Sequence, residues 1–166
     1  RLVLAFAVVF IVSGLAFKLG VAPFHMWLPD VYHAAPTAMT MLIGSAPKLA
    51  AFAFVIRILV EGLQPLAQHW SGMLIILAIA SMALGNITAI AQTNLKRMFA
   101  YSSVEHMGIM TFAFGMGGPV AAFAGLLHMT VHSLTKSAIF FTVGHAAQKT
   151  GTQNMADIRG LIRSNP

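Results

Sequence analysis

Five ionisable side chains lie inside stretches of the sequence that otherwise have the hydropathy of membrane spans. They are Lys18, Lys48, His128, His132 and Lys136. An ionisable group in hydrocarbon costs several kcal/mol, so such residues are rare there and usually functional. Lysine and histidine can also lose and regain a proton when their surroundings change. The pattern therefore predicts proton movement through a membrane rather than chemistry on a substrate.

His128, His132 and Lys136 follow one another at helical spacing, four residues apart. At this spacing they turn only about 80° around a helix and extend about 12 Å along it, so they form a polar stripe on one face. The stripe predicts a proton relay, which we favour over histidines that only bond neighbouring helices. Lys18 and Lys48 are predicted relay residues for the same reason, the alternative being lysines whose amines reach the membrane surface.

Three further residues are predicted accessory proton sites. Glu105 and His106 share a helix face with Ser102, at spacings of three and four residues. The alternative for Glu105 is a hydrated position near a helix end. His25 borders a stretch rich in proline and is predicted to bond at the membrane interface, with a role in proton entry.

The composition indicates an all-α integral membrane protein, in contact with the lipid bilayer. Of 166 residues, 58% are hydrophobic and 8% charged, and the mean hydropathy is +0.80; soluble domains have about 25% charged residues. The chain has no cysteine, and no metal or cofactor site is predicted. The net charge of +6 is divided between spans and short loops, so no nucleic-acid partner is expected.

We predict one transmembrane unit over 1–166, a bundle of about five helices, and expect it to be part of a longer polytopic protein. The first helix should be discontinuous, because Pro23 and Pro29 follow Gly20 closely. A broken helix at membrane depth is tolerated only inside protein or along a cavity. The predicted spans are 2–20 continuing broken to 32, 37–60, 70–92, 98–116 and 120–147, followed by a polar tail over 148–166.

The basic residues outside the spans predict an orientation. Lys96 and Arg97 lie in the turn 93–97, and Lys149, Arg159 and Arg163 lie in the tail 148–166. Two spans separate these segments, so they share one face. The positive-inside rule places that face in the cytoplasm, and the membrane is expected to be a bacterial or archaeal cytoplasmic membrane.

Several motifs in this order resemble the antiporter-like membrane subunits of respiratory complex I, a family that includes subunits of membrane-bound hydrogenases and Mrp-type antiporters. They are AFKLGVAPFHMWLPDVY at 16–32, APKLA at 46–50, QTNLKRMFAYSS at 92–103 and HSLTKSA at 132–138. Within the family, SSVEHMG at 102–108 and DIRG at 157–160 look most like component F of hydrogenase-4.

The resemblance implies a core of two inverted repeats, each with one discontinuous helix, of which this chain is most of the second. Lys18 would be the central lysine and Lys48 the bridging lysine. His128, His132 and Lys136 would connect toward the exit. The family's paired glutamate would lie outside this chain.

These observations predict a non-catalytic subunit that moves protons, or Na⁺, while redox chemistry occurs in partner membrane and peripheral subunits. The favoured parent is a hydrogenase-4 or formate-hydrogenlyase-like complex. The alternatives are the quinone-proximal subunit of NADH:quinone oxidoreductase (complex I) and an Mrp-type Na⁺/H⁺ antiporter.

Two alternatives belong to other classes. A membrane cytochrome could use His132 and His145, which are 13 residues apart, as haem ligands. Each haem would then need a second axial ligand, and the other histidines predicted inside the membrane are His106 and His128. A structural scaffold would leave the aligned lysines and histidines without a reason for their burial cost.

Overall fold

The computed structural model describes residues 2–158, and its named elements are all helices, as the composition predicts. The third helix continues beyond Val55 as a π-helix, Ile56–Gly62, and a short 3₁₀ turn, Gln64–Leu66, leads into the fourth. The six α-helices are α1 Leu2–Leu19, α2 Trp27–Ala34, α3 Thr37–Val55, α4 Ala67–Ile90, α5 Leu95–Met116 and α6 Pro119–Thr150.

The predicted interruption of the first span is present between α1 and α2. Gly20 ends α1 with a φ of +75°, a backbone conformation that glycine adopts without strain. The freed backbone groups find side-chain partners. The Ser81 hydroxyl on α4 accepts the Ala22 N–H at 2.8 Å, and the Trp27 indole donates to the Phe17 carbonyl at 3.0 Å. The break is therefore anchored to α4 and to the end of α1, while Pro23 and Met26 within it are exposed.

Pro29 does not belong to the break, contrary to the sequence prediction. It lies in the first turn of α2, where its missing N–H costs no helical hydrogen bond. The interruption is thus confined to the residues between Leu19 and Trp27.

Other predicted boundaries shift because of helix caps. The Asn94 side chain accepts the Arg97 N–H at 3.2 Å, so α5 begins at Leu95 and not at Met98. The predicted turn residues Lys96 and Arg97 are therefore helical. At the other end, α6 continues to Thr150, into the predicted tail, while Arg159 and Arg163 lie outside the described residues.

The helices differ in how well they fit a membrane span. Within the described residues, two helical segments are long and apolar enough to cross a membrane, Thr37–Gly62 and Gln64–Ile90, and Val3–Leu19 is a shorter apolar helix. Helices α5 and α6 have the length but carry more polar residues. The count of about five spans therefore stays a prediction.

Helix α5 lies at the centre of the bundle. It packs against α4, α6 and α2, and α6 also packs against α3. The contact with α4 is close because Gly85 and Gly108 have no side chains: a Cβ at Gly85 would lie 2.7 Å from the Glu105 nitrogen. Side chains from α3, α5 and α6 therefore meet on the inner side of α5.

Candidate functional site

The structure brings four of the five predicted relay residues toward the interior of the bundle. Lys48 on α3 is 6% exposed, and His132 and Lys136 on α6 are 6% and 3% exposed. His128 is half-buried. Because α3 and α6 pack together, the stripe on α6 faces Lys48 and the middle of α5.

Three imidazole rings from α5 and α6 form one group, which we call the histidine cluster: His106, His128 and His132. His106 Nδ1 and His128 Nε2 are 3.1 Å apart, so one nitrogen donates and the other accepts. The His106 and His132 ring centres are 4.9 Å apart. His132 Nε2 is buried without a hydrogen-bond partner among the described residues.

Glu105 lies beside the histidine cluster. One of its carboxylate oxygens is 3.6 Å from His106 Nε2. Its side chain is 19% exposed, so the carboxylate is mostly enclosed and not a freely hydrated end group. The predicted accessory pair Glu105 and His106 therefore adjoins the stripe on α6.

Lys136 is held by the first two turns of α5. Its ammonium donates to the Phe99 carbonyl and the Ser102 hydroxyl, both at 3.1 Å. It also lies 5.3 Å from the centre of the Phe99 ring, within range of a cation–π interaction. Neutral oxygens and a ring thus bind this amine, an arrangement that fits a group able to exist with or without its extra proton.

Lys48 has a different environment. Its Nζ has no hydrogen-bond partner within the described part of the chain and lies 5.5 Å from the centre of the Tyr32 ring. Between Lys48 and His132 the side chains of Met107 and Met110 pack without leaving a water-sized cavity. An unpartnered buried amine is costly, so its presence points to a functional reason.

Lys18 is the exception to the predicted inward-facing axis. Its side chain is exposed in a groove of about 580 Å³ between α1 and α3. The buried face of α1 is formed by Val12, Leu15 and Leu19, and helical geometry places Lys18 at the edge of that face. Lys18 therefore does not meet the other four residues within the described helices.

His25 is buried in the break between α1 and α2. Its Nδ1 has no hydrogen-bond partner among the residues described, and its ring lies edge-on to Tyr101 with centres 6.2 Å apart. The structure thus places the His25 ring in the protein interior, and its location at the membrane interface stays a prediction.

Sequence reasoning missed several buried polar residues, among them Lys96, Tyr32 and Ser103. Lys96, predicted in a polar turn, is 4% exposed and donates to the Ala35 carbonyl at the end of α2, at 2.9 Å. Asn94 is a helix N-cap signal that could have placed Lys96 in a first turn, where a cation opposes the helix dipole and so needs a specific partner. Nothing in the sequence indicated that Tyr32 would be buried, apart from its place at the end of the motif at 16–32.

The broken helix and the inward-facing lysines and histidines are the features expected of an antiporter-like membrane subunit. Comparison with known proteins identifies the family. The chain belongs to the family described as NADH:quinone oxidoreductase/Mrp antiporter, TM, which matches residues 2–166. It is accordingly an integral membrane protein, and the family resemblance found in its motifs is confirmed.

Two relatives illustrate the match. The chain is 50% identical to NADH-quinone oxidoreductase subunit N of Thiobacillus denitrificans (strain ATCC 25259 / T1), over 100% of this chain and 35% of the relative. It is 51% identical to the same subunit of Laribacter hongkongensis (strain HLHK9), over 95% of this chain and 32% of the relative. The chain thus spans about a third of the length of these relatives.

Solved structures share the fold. Respiratory complex I from Thermus thermophilus with bound NADH matches with a TM-score of 0.80 and 27% identity, over 95% of this chain and 34% of that one. An archaeal membrane-bound sulfane sulfur reductase matches with a TM-score of 0.81 and 28% identity, over 92% and 32%. The finer likeness to hydrogenase-4 is not supported, because the curated relatives are complex I subunits.

Proposed function

We propose that this chain is part of a proton-translocating, antiporter-like subunit of NADH-quinone oxidoreductase, the complex I alternative rather than the hydrogenase-4 reading. The relatives named subunit N support this parent. The observation that carries the proposal is the set of buried titratable side chains across α3, α5 and α6. Their burial cost is difficult to explain without a transport role.

In this proposal protons pass between Lys48 and Lys136 by way of the histidine cluster. Each imidazole can accept a proton on one nitrogen and release one from the other. His132 Nε2 has no hydrogen-bond partner among the described residues, His132 and Lys48 line the same small space, and His106 and His128 already share a hydrogen bond. Glu105 stabilises positive charge on the cluster as the proton passes.

The exposed Lys18 and the buried His25 belong to the entry side in this proposal. The groove that holds Lys18 is open toward whatever covers α1 and α3 in the longer protein. A helix from the remainder of that protein would cover Lys18 and complete the path. His25 lies at the break in the same span and would exchange protons during entry.

We also propose the remaining context from the sequence and the family. The redox reaction occurs in other subunits, and this chain responds to it by moving protons. The segments 93–97 and 148–166 face the cytoplasm, as their lysine and arginine content predicts. Contacts between the described parts of these segments support a shared face, because Leu95 N–H donates to the Gln153 carbonyl at 2.9 Å.

The sharpest test of the proposed function is Lys48→Met in the full-length protein assembled into its complex. Methionine has nearly the same length, and the Lys48 amine that is removed has no hydrogen-bond partner within the described residues. We expect normal assembly and a loss of proton uptake into vesicles by about 10²-fold or more through this subunit.

The matched control is Lys149→Met, on the exposed side of α6 near its end. This variant should retain the wild-type uptake, because it removes a lysine outside the buried set. Wild-type uptake in Lys48→Met, in a complex that assembles normally, would rule out Lys48 as a proton carrier.

A further inference from the structure

The hydroxyl of Tyr32 has no packing role in this structure. Tyr32 is 0% exposed, and its hydroxyl has no hydrogen-bond partner within the described residues. Its ring packs edge-on against Phe140, with centres 5.3 Å apart. A phenylalanine would make the same ring contact without burying a polar atom. Buried tyrosines usually bond their hydroxyl, so this one calls for another explanation.

On one side, Tyr32 adjoins Lys48. The Lys48 amine lies over the Tyr32 ring and is itself unpartnered among the described residues. Gly44, one turn before Lys48 on α3, makes room for the hydroxyl: a Cβ there would lie 3.3 Å from the Tyr32 oxygen. Two unpartnered polar groups of complementary kind are thus neighbours, and a lysine side chain is flexible enough to swing toward the hydroxyl.

On the other side, Tyr32 packs in one cluster with Ala100 and Val104 of α5. Ser103, which is fully buried, lies three residues after Ala100 and so shares the face of α5 that meets Tyr32. Ser103 donates to the Phe99 carbonyl at 3.0 Å, and the Lys136 ammonium donates to the same carbonyl at 3.1 Å. The Ser103 hydroxyl and the Lys136 amine are therefore held side by side on one oxygen.

We propose that Tyr32 and Ser103 form a second, hydroxyl-based proton link between Lys48 and Lys136, separate from the histidine cluster. The link rests on the proposed function. Its chemistry needs no ionised intermediate, because a hydroxyl can accept one proton while it releases another.

The transfer balances as follows. The Lys48 ammonium gives a proton to the Tyr32 oxygen while the phenolic proton passes to Ser103 Oγ. In the same concerted step the Ser103 hydroxyl proton passes to the neutral amine of Lys136, so that no protonated serine forms. Lys48 ends with one proton fewer and Lys136 with one more, and both hydroxyls regain a proton.

The test is Tyr32→Phe in the full-length protein within its assembled complex, with Lys136→Ala measured in parallel. We expect Tyr32→Phe to assemble normally, because only an unpartnered oxygen is lost. Its proton uptake through this subunit should fall by about tenfold, less than the roughly 10²-fold of a lost acid–base group because water can partly replace a hydroxyl. Thr142→Val, which removes an exposed hydroxyl from α6, is the control and should retain the wild-type uptake.

A second variant, Ser103→Ala, should reduce uptake similarly, and the double variant should be no worse than either single one, since both act in one path. Wild-type uptake in Tyr32→Phe together with a defect in Lys136→Ala would overturn the hydroxyl link and leave the proposed function standing. Wild-type uptake in both would overturn the proposed function as well. Additive losses in the double variant would also refute a shared path, and Ser103→Ala alone decides the question if Tyr32→Phe does not assemble.

Discussion

Replacing Lys136 tests whether this residue carries protons or only stabilises the fold. Both roles are compatible with its position, because Lys136 is buried beside the histidine cluster and also bonds α5. Lys136→Ala removes two hydrogen bonds, to the Phe99 carbonyl and the Ser102 hydroxyl, and one ring contact. The Phe99 carbonyl keeps the bond from Ser103, whereas the half-buried Ser102 hydroxyl loses the bond that Lys136 donates. The variant therefore tests proton transfer with limited structural damage.

The magnitudes favour a functional over a structural effect. Truncating a large buried side chain to alanine costs about 2–5 kcal/mol, whereas removing a charge from the membrane interior returns about 2.5–3.5 kcal/mol. The net change in stability is small, and the complex should assemble. Losing a positioned proton-transfer group slows its step by about 10²–10⁴-fold, equivalent to about 3–5 kcal/mol in the barrier.

The assay is proton uptake into vesicles, normalised to assembled complex and to redox turnover. Lys136→Ala should lower the proton-to-electron ratio while the electron-transfer chemistry of the partner subunits remains possible. Lys136→Arg should keep the contacts with Phe99 and Ser102 but should not restore the ratio fully, because arginine does not release its proton near neutral pH. Wild-type ratios in both variants would show that Lys136 is a structural lysine.

Two further predictions concern the frame that positions the site. Gly85→Ala should destabilise the protein by about 1–3 kcal/mol, because its Cβ would lie 2.7 Å from the Glu105 backbone nitrogen. Thermal unfolding of the purified protein measures this loss. The control is Gly72→Ala, which should not destabilise because the space around its Cβ is open. Lys96→Met should increase hydrogen exchange of the α2 amides, because the Ala35 carbonyl loses a hydrogen bond worth about 1.5–3 kcal/mol. Equal exchange rates in the variant and the wild type would show that Lys96 does not stabilise α2.

Local signals in the sequence were sufficient to predict the break between α1 and α2 and the polar stripe on α6. Gly20 followed by Pro23 predicts an interrupted helix whatever surrounds it, since both residues act on their own backbone. The four-residue spacing of His128, His132 and Lys136 likewise needs only a helix to align the side chains. Both features are present in the structure.

Features that depend on how helices pack could not be predicted in this way. The exposure of Lys18 depends on which face of α1 meets α4, and the sequence of α1 is apolar on all sides. The burial of Lys96 depends on the end of α2 reaching the start of α5, residues 61 positions apart. The preference for a hydrogenase-4 parent rested on short motifs that family members share, and it is not supported by the relatives, which are named NADH-quinone oxidoreductase subunit N.

The described residues divide the polar side chains of the interior into two sets with different energetics. The break between α1 and α2 and the end of α2 are held by bonds of 2.8–3.0 Å, from Trp27 to Phe17, from Ala22 to Ser81 and from Lys96 to Ala35. By contrast, one buried polar atom in each of four side chains has no hydrogen-bond partner among the described residues: His25, Tyr32, Lys48 and His132. A stable fold gains from the first set and loses by the second. Since a proton carrier must exchange partners during transfer, weak static bonding at these positions is what a transport path requires, provided that the bonded frame keeps the carriers in place.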